Sequence, residues 1–240
     1  MLENGLVRVL KSPPFGRIEL SKATVAFKKI TLLAPAGTGK IILAGLNYKD
    51  HARELKMELP KEPVIFLKPV SALLGHRQNI IYPATSGRVD YEAELALVIK
   101  KKARFVRENK AASYILGFTC LNDVTERDLQ KKDIQWTRAK SFDTFCPLGP
   151  WLETTLDPSA LRIRSYLNGE IRQDSSTKNL IFSVPYLVSF ISSIMTLEPG
   201  DVISTGTPPG VGSLLPGDNI RIEIEGIGTL ENRVAAQRRK

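Results

Sequence analysis

The chain has 240 residues, 42% of them hydrophobic, 17 glycines, 15 prolines and a net charge of +9. That length and apolar share can bury a sizeable core in one large domain with at most a small appendage, and they exclude a disordered, collagen-like or coiled-coil chain. Two cysteines, Cys120 and Cys146, are too few for a disulfide framework.

Met1–Lys11 holds no apolar stretch of signal-peptide length. The longest apolar stretch, Val184–Leu197, is broken by Ser189, Ser192 and Ser193. It is also too short for a bilayer, which needs about 20 residues. A cytoplasmic protein with no membrane partner is expected. Part of the positive excess is terminal, where Arg233, Arg238, Arg239 and Lys240 face only Glu231. A second run is Lys100, Lys101, Lys102, Arg104, Arg107 and Lys110. Such charge suits nucleic acid or an anionic substrate, and it equally suits a solvated loop and a frayed tail. No RNA- or DNA-binding motif accompanies it, so nucleic acid is not an expected partner.

In chain order, Leu6–Ile42 reads as short strands with turns at Pro13, Pro14, Gly16 and Pro35–Gly39. Lys40–Leu46 is a short buried strand. Asp50–Met57 is helix-compatible, with Pro60 and Pro63 ending it. Val64–Leu67 is a strand that stops at Lys68 and Pro69. Gly87–Lys100 begins with alternation, then turns continuously apolar from Leu95, as a strand entering a core does. Ile115–Leu121 is another strand, and Glu126–Asp133 one or two helical turns. Arg162–Leu167 and Glu170–Gln173 flank Asn168 and Gly169, a strong hairpin signal. Val184–Met195 carries apolar residues at helical spacing, with Pro185 in a first turn. Asp201–Thr205 and Asn219–Glu225 are strands. β structure dominates, and few connections look like βαβ crossovers.

Ala34–Lys40 invites a phosphate-loop reading, which the residues reject. Ala34 stands where the motif needs glycine, and Ile41 where it needs a hydroxyl. A strand follows, where phosphates need a helix N-terminus. A turn between strands explains the segment.

The chemistry concentrates in the acids. Glu92 and Glu94 are two apart, hence on one face of a strand, about 7 Å apart along it. Two carboxylates that close repel unless a proton or cation lies between them. They read either as a solvent face paired with lysines or as a cation site. Asp123 ends the strand Ile115–Leu121 beside the core. His51 and Glu54, three apart, share a helix face, an arrangement that serves a general base. Three carboxylates without a Cys/His cluster point to a hard cation, Mg²⁺ first and Mn²⁺ next. His76 has no such company and reads as a loop residue.

Six segments together resemble the fumarylacetoacetate hydrolase family in its small bacterial and archaeal form: Gly45–Glu54, Phe66–Pro69, Asp90–Leu95, Asn122–Asp128, Arg138–Asp143 and Thr205–Gly212. They run in the family's order from about Lys40 to Glu225. The resemblance implies a mixed β fold with few helices (α+β), a β-roll that forms homodimers. Residues 1–39 would be a short N-terminal β appendage and 40–240 the catalytic domain. It implies Glu92, Glu94 and Asp123 as metal ligands, and His51 and Glu54 as an acid–base dyad on a segment that closes over the site. Lys140 would face developing negative charge. Arg127 and Gln130 would contact a substrate carboxylate, with Thr205 and Thr207 on its far side.

The implied activity is Mg²⁺-dependent chemistry on small 2-oxo or 2-hydroxy-dienoic acids. C–C hydrolysis of an acylpyruvate through a metal-stabilised enolate comes first. The alternative is a 2-hydroxyhepta-2,4-diene-1,7-dioate isomerase or an oxaloacetate decarboxylase. A non-enzymatic anion- or nucleic-acid-binding protein is the distant third.

Overall fold

The computed structural model describes residues 2–3, 5–36 and 39–238. The turn at Gly37 and Thr38 and the last two tail cations, Arg239 and Lys240, fall outside them. Strands β1 (Leu2–Glu3), β2 (Leu6–Leu10) and β3 (Leu20–Ala26) form an antiparallel sheet of their own. No strand occurs among the described residues from Phe27 to Lys40, although alternation there suggested one. The body begins with β4 (Ile41–Ala44), α1 (Lys49–Glu54), β5 (Ile65–Lys68), β6 (Leu73–Leu74) and β7 (Asn79–Tyr82). It continues through β8 (Val89–Tyr91), β9 (Ala93–Ile99), β10 (Ile115–Asn122), β11 (Thr125–Glu126), α2 (Arg127–Lys132) and α3 (Thr137–Lys140). Then come β12 (Cys146–Glu153), β13 (Arg162–Leu167), β14 (Glu170–Ser176), α4 (Val184–Ile194), β15 (Val202–Ser204), β16 (Gly212–Leu214), β17 (Asn219–Ile224) and β18 (Gly228–Ala236).

The central sheet has the order β5-β4-β15-β9-β10-β12-β6, parallel only at β15/β4 and β12/β6. A second sheet, β14-β13-β17-β18-β7, covers one of its faces, and a small sheet, β11-β8-β16, closes one end. Period-two alternation sorts β9 between two cores. Leu95, Leu97 and Ile99 join a core shared with β17, β18 and α4. Ala96 and Val98 join another, with Ile41, Leu43, Leu121, Leu148 and Val202. Both faces of the central sheet are therefore buried, and the result is a mostly-β roll with few helices.

Where an acidic solvent face was one reading of residues 89–99, every one of them is buried. The strand also breaks at Glu92, between β8 and β9. The helix expected over 50–57 ends earlier, at Glu54. Lys56 takes a left-handed φ of 54°, and Met57 N–H reaches back to Ala52 O at 2.9 Å. This is a Schellman-type stop that uses lysine where glycine is usual. The hairpin forms as expected, with Asn168 and Gly169 both at positive φ (53° and 91°). So does α4, capped by Ser183 Oγ accepting from Tyr186 N–H. Lys40 leads into β4 and not a helix, its N–H donating to Asp201 Oδ1 at 2.7 Å.

Candidate active site

The ladder between β9 and β10 builds the acid cluster. Glu94 pairs in register with Leu121, and Ala93 with Asn122. One step on, Asp123 N–H donates to Glu92 O at 2.9 Å. Asn122 Oδ1 accepts from Glu92 N–H at 2.9 Å and pins the break in the strand. Antiparallel pairing thus brings acids about thirty positions apart to one point. Carboxylate oxygens of Glu92, Glu94 and Asp123 lie within 4.8 Å of one another, and all three residues are buried.

Buried charge must be paired. Lys140 Nζ, at the end of α3, lies 3.0 Å from Glu92 Oε2 and 2.5 Å from Asp123 Oδ2. Lys68 Nζ, at the end of β5, donates to Val124 O at 2.9 Å and Phe145 O at 2.5 Å, and also forms an ion pair with Asp123 Oδ1. That contact is an ion pair without hydrogen-bond geometry, since Asp123 Oδ1 accepts no hydrogen bond among the described residues. Arg127 bonds Asp90 through Nε at 2.8 Å, Gln130 Oε1 at 2.6 Å and Glu92 Oε1. Glu94 differs from its two neighbours. Its Oε2 accepts from Ser204 Oγ at 2.5 Å and Gly206 N–H at 3.1 Å, and it has no cation partner among the described residues.

The proton affinities follow. Burial works to raise the Glu92 pKa, but Lys140 and Arg127 overcome it and hold the carboxyl far below its usual range. At Glu94, burial and the charges of Asp123 and Glu92 add together and push the carboxyl well above its usual range. Burial would strip the Lys140 ammonium of its proton, yet Asp123 and Glu92 outweigh it and raise its pKa. A divalent cation fits this donor set. Its oxygens converge, they are hard ligands, and among the described residues one Asp123 oxygen has no hydrogen bond and Glu94 has no ion-pair partner.

The dyad sits on α1. His51 Nδ1 and Glu54 Oε2 are 2.8 Å apart, and Glu54 Oε1 accepts from Gly210 N–H at 3.1 Å. One loop, 205–210, therefore touches both the acid cluster, through Gly206, and the dyad, through Gly210. Asn47 Nδ2 donates to Thr205 O at 2.8 Å, and its Oδ1 accepts from Phe182 N–H at 2.8 Å, fixing the start of α1 against that loop. Thr205 Oγ1 donates to Leu95 O at 3.0 Å, and Thr207 Oγ1 donates to Ala93 O at 2.9 Å. Both hydroxyl protons are thus committed to the strand that carries the acids.

Sequence reading missed Lys68, Ser204 and Gln173. Lys68 had a signal, a lysine closing an otherwise apolar strand. Gln173 is wholly buried on β14: its Oε1 accepts from Ala93 N–H at 3.0 Å, and its Nε2 donates to Thr207 Oγ1 at 2.8 Å and Pro208 O at 2.7 Å. Nothing local in the hairpin sequence marks it.

Residues 40–235 match the sequence model of the fumarylacetoacetate (FAA) hydrolase C-terminal region. A 5-carboxymethyl-2-hydroxymuconate delta-isomerase from Mycobacterium smegmatis superposes with a TM-score of 0.92 at 45% identity, covering 97% of this chain and 90% of that one. A 2-hydroxyhepta-2,4-diene-1,7-dioate isomerase from Mycobacterium marinum gives 0.91 at 43%, covering 98% and 89%. A mitochondrial oxaloacetate tautomerase of Bos taurus is 43% identical over 219 residues, 86% of this chain and 70% of that protein. With this fold, this ladder-built acid cluster and these relatives, the chain belongs to the fumarylacetoacetate hydrolase family.

Proposed function

We propose that the protein is an isomerase that moves a proton along a small 2-oxo or 2-hydroxy dicarboxylic acid, by keto–enol or double-bond tautomerisation. The observation that carries this is the 205–210 loop, which ties a His–Glu pair to a buried three-carboxylate cluster. An imidazole anchored at Nδ1 presents Nε2 as the group that gives and takes a proton. The relatives named as a 2-hydroxyhepta-2,4-diene-1,7-dioate isomerase and as an oxaloacetate tautomerase act, by those names, on substrates of this class, and the 5-carboxymethyl-2-hydroxymuconate delta-isomerase on a 2-hydroxy acid with a third carboxylate.

In such a reaction one carbon loses a proton and another atom of the conjugated system gains one. The double bond shifts as the proton moves, no bond between heavy atoms is broken or formed, and no water is consumed. His51 carries the proton, and Glu54 orients the ring through Nδ1. Lys140 and Arg127 set positive charge beside the acids and hold the carboxylates in place. Thr205, Thr207 and Gln130 act here by fixing backbone and guanidinium. A divalent cation held by Glu92, Glu94 and Asp123, Mg²⁺ or Mn²⁺, would stabilise negative charge developing on the substrate's oxygens.

Hydrolysis of acylpyruvates is the second reading, favoured by the same dyad, which could equally activate a water. The test offers the purified protein oxaloacetate, 2-hydroxyhepta-2,4-diene-1,7-dioate and acylpyruvates, with Mg²⁺ and with a chelator. Ultraviolet absorbance follows the enol, and product analysis follows cleavage and CO₂ release. Metal-dependent acceleration of a tautomerisation with carbon skeletons intact is expected. Cleavage of acylpyruvates without any such acceleration would replace the isomerase reading by the hydrolase one.

A further inference from the structure

A cavity of about 860 Å³ shares no lining residue with the acid cluster. It opens where the segment after β3 meets the turn between β6 and β7 and the outer part of β12, β17 and β18. That volume lies within the range of small-ligand sites. Its wall holds Lys28, Arg77, Arg221, His76, Trp151 and a single acid, Glu231.

The cations there are left without carboxylates. Arg221 and Glu231 are direct partners in the β17/β18 register, where opposite charges ordinarily pair. Here they do not. Glu231 Oε1 accepts from Asn219 Nδ2 at 2.9 Å, and the Arg221 guanidinium lies over the Tyr166 ring at 4.8 Å. Among the described residues, neither Arg77 nor Lys28 has an acidic partner. Arg77 is also held at a left-handed φ of 63°, its N–H donating to Glu231 O at 2.7 Å. Bulky residues seldom adopt that conformation, and such outliers gather at functional sites.

His76 adds a donor. Its Nδ1 accepts from Glu231 N–H at 3.1 Å, so the neutral ring carries its proton on Nε2. No acceptor takes that proton among the described residues. Burial and the Arg77 charge lower the His76 pKa and favour the neutral ring, outweighing Glu231, which works to raise it. Trp151 supplies the apolar element. The residue is 39% exposed, and its indole meets Phe27 edge-to-face at 6.4 Å. It is seated against Gly228, where any Cβ would come within 3.1 Å of the ring.

Three cations and an N–H donor around one volume, with one acid already engaged, repel each other until an anion enters. Guanidinium forks match phosphate oxygens, and an exposed indole offers a face to a planar ring. We propose that this cavity is a second ligand site that binds a nucleoside polyphosphate, with the phosphates on Arg77, Arg221 and Lys28 and the base against Trp151.

The test is calorimetric titration of the whole protein with ADP, with pyrophosphate and with oxalate. Trp151 fluorescence is followed in a Trp136→Phe background, where it is the sole indole. Saturable ADP binding that quenches Trp151 is expected, unaffected by saturating oxalate and Mg²⁺. Arg221→Gln and Arg77→Asn should each weaken it by about tenfold or more, the scale of one hydrogen bond to a charged group. Asparagine keeps the left-handed turn, and both variants should turn over the tautomerisation substrates at the unaltered rate. No saturation up to about 1 mM, displacement of ADP by oxalate, or binding indifferent to both variants would overturn the site. Pyrophosphate binding as tightly as ADP without a fluorescence change would overturn the nucleoside assignment.

Discussion

Gln173 is where the two halves of the site are joined, and its loss should be felt in both. It holds Ala93, between Glu92 and Glu94, and Pro208, midway between the loop residues that grip Glu94 and Glu54. Gln173→Leu keeps the volume and removes the bonds. It orphans two wholly buried groups, Ala93 N–H and Pro208 C=O, at about 1–3 kcal/mol each. The sum, about 2–6 kcal/mol, corresponds to a fall in Tm of roughly 5–20 °C for a chain of this size. Because Ala93 carries the acids on either side, metal affinity measured below that Tm should drop by about 10–100-fold, as for other supports of metal ligands.

Gln173→Glu separates this role from simple packing. Thr207 Oγ1 spends its proton on Ala93 O, so residue 173 must donate to both Thr207 and Pro208. A protonated carboxyl can still donate one of these two bonds and an ionised one neither, so its pKa in the folded protein is raised. Its stabilisation is then fully present below the unfolded value, near 4.3, and is lost as pH rises through the folded one. Thermal melts of this variant should come nearest to wild type at low pH, still short of it by the one donation a carboxyl lacks, and fall away as pH increases. A Tm within about 2 °C of wild type for Gln173→Leu, or a pH-independent deficit for Gln173→Glu, would refute the reasoning.

Glu94→Gln should remove most divalent-cation binding in calorimetry while leaving the melting curve close to wild type, since it neutralises the one ligand without a cation partner. In the unaltered protein, Glu94 must shed a proton to bind metal, so apparent Mg²⁺ affinity should rise with pH, by up to about tenfold per unit, until its raised pKa is passed. A flat profile in a buffered titration would count against proton–metal competition. His51→Ala should cost about 10²–10⁴-fold in tautomerisation and leave oxalate affinity nearly unchanged, because the ring makes no contact with the acids. Residues 47–60 should gain hydrogen-exchange protection when oxalate and Mg²⁺ bind. α1 is six residues long and buries only Ala52, which leaves little apolar area to hold it down; equal exchange with and without ligand would argue that it does not close.

Most strands were legible because apolar runs bounded by glycine and proline report burial directly. Two that escaped, β12 and β18, did so for identifiable reasons. β12 contains Pro147, Gly149 and Pro150 and reads as a loop; it survives between β10 and β6 because its ladder with β10 is irregular, shifting register between Phe118 and Cys120. β18 mixes Glu231, Asn232 and Arg233 into its run, yet Leu230, Asn232 and Val234 all point inward. Asn232 Nδ2 donates to Gly75 O and Gln78 O, both at 2.9 Å. A polar residue on an inward face masks the alternation unless its partners, more than 150 positions away, are known.

The same contrast governs the site. Glu92, Glu94, Asp123, His51 and Glu54 lie in short motifs, and sequence reading named them because their chemistry is legible two or three residues at a time. What sequence reading left undecided was whether the Glu92–Glu94 pair faced solvent or a cation, since alternation alone is compatible with both. The fold decides against solvent by covering both faces of β9, and that choice determines the charge around the acids. Each buried carboxylate then needs a counterweight. Lys140 serves Glu92 and Asp123, Lys68 serves Asp123, and Arg127 serves Glu92 and Asp90. Among the described residues Glu94 receives only a hydroxyl and an amide, so it is balanced by a proton or by a bound cation. That requirement is a property of the assembled ladder: it arises from which residues β5, β15 and α3 bring to one strand end, and no window of sequence short enough to read by eye contains it.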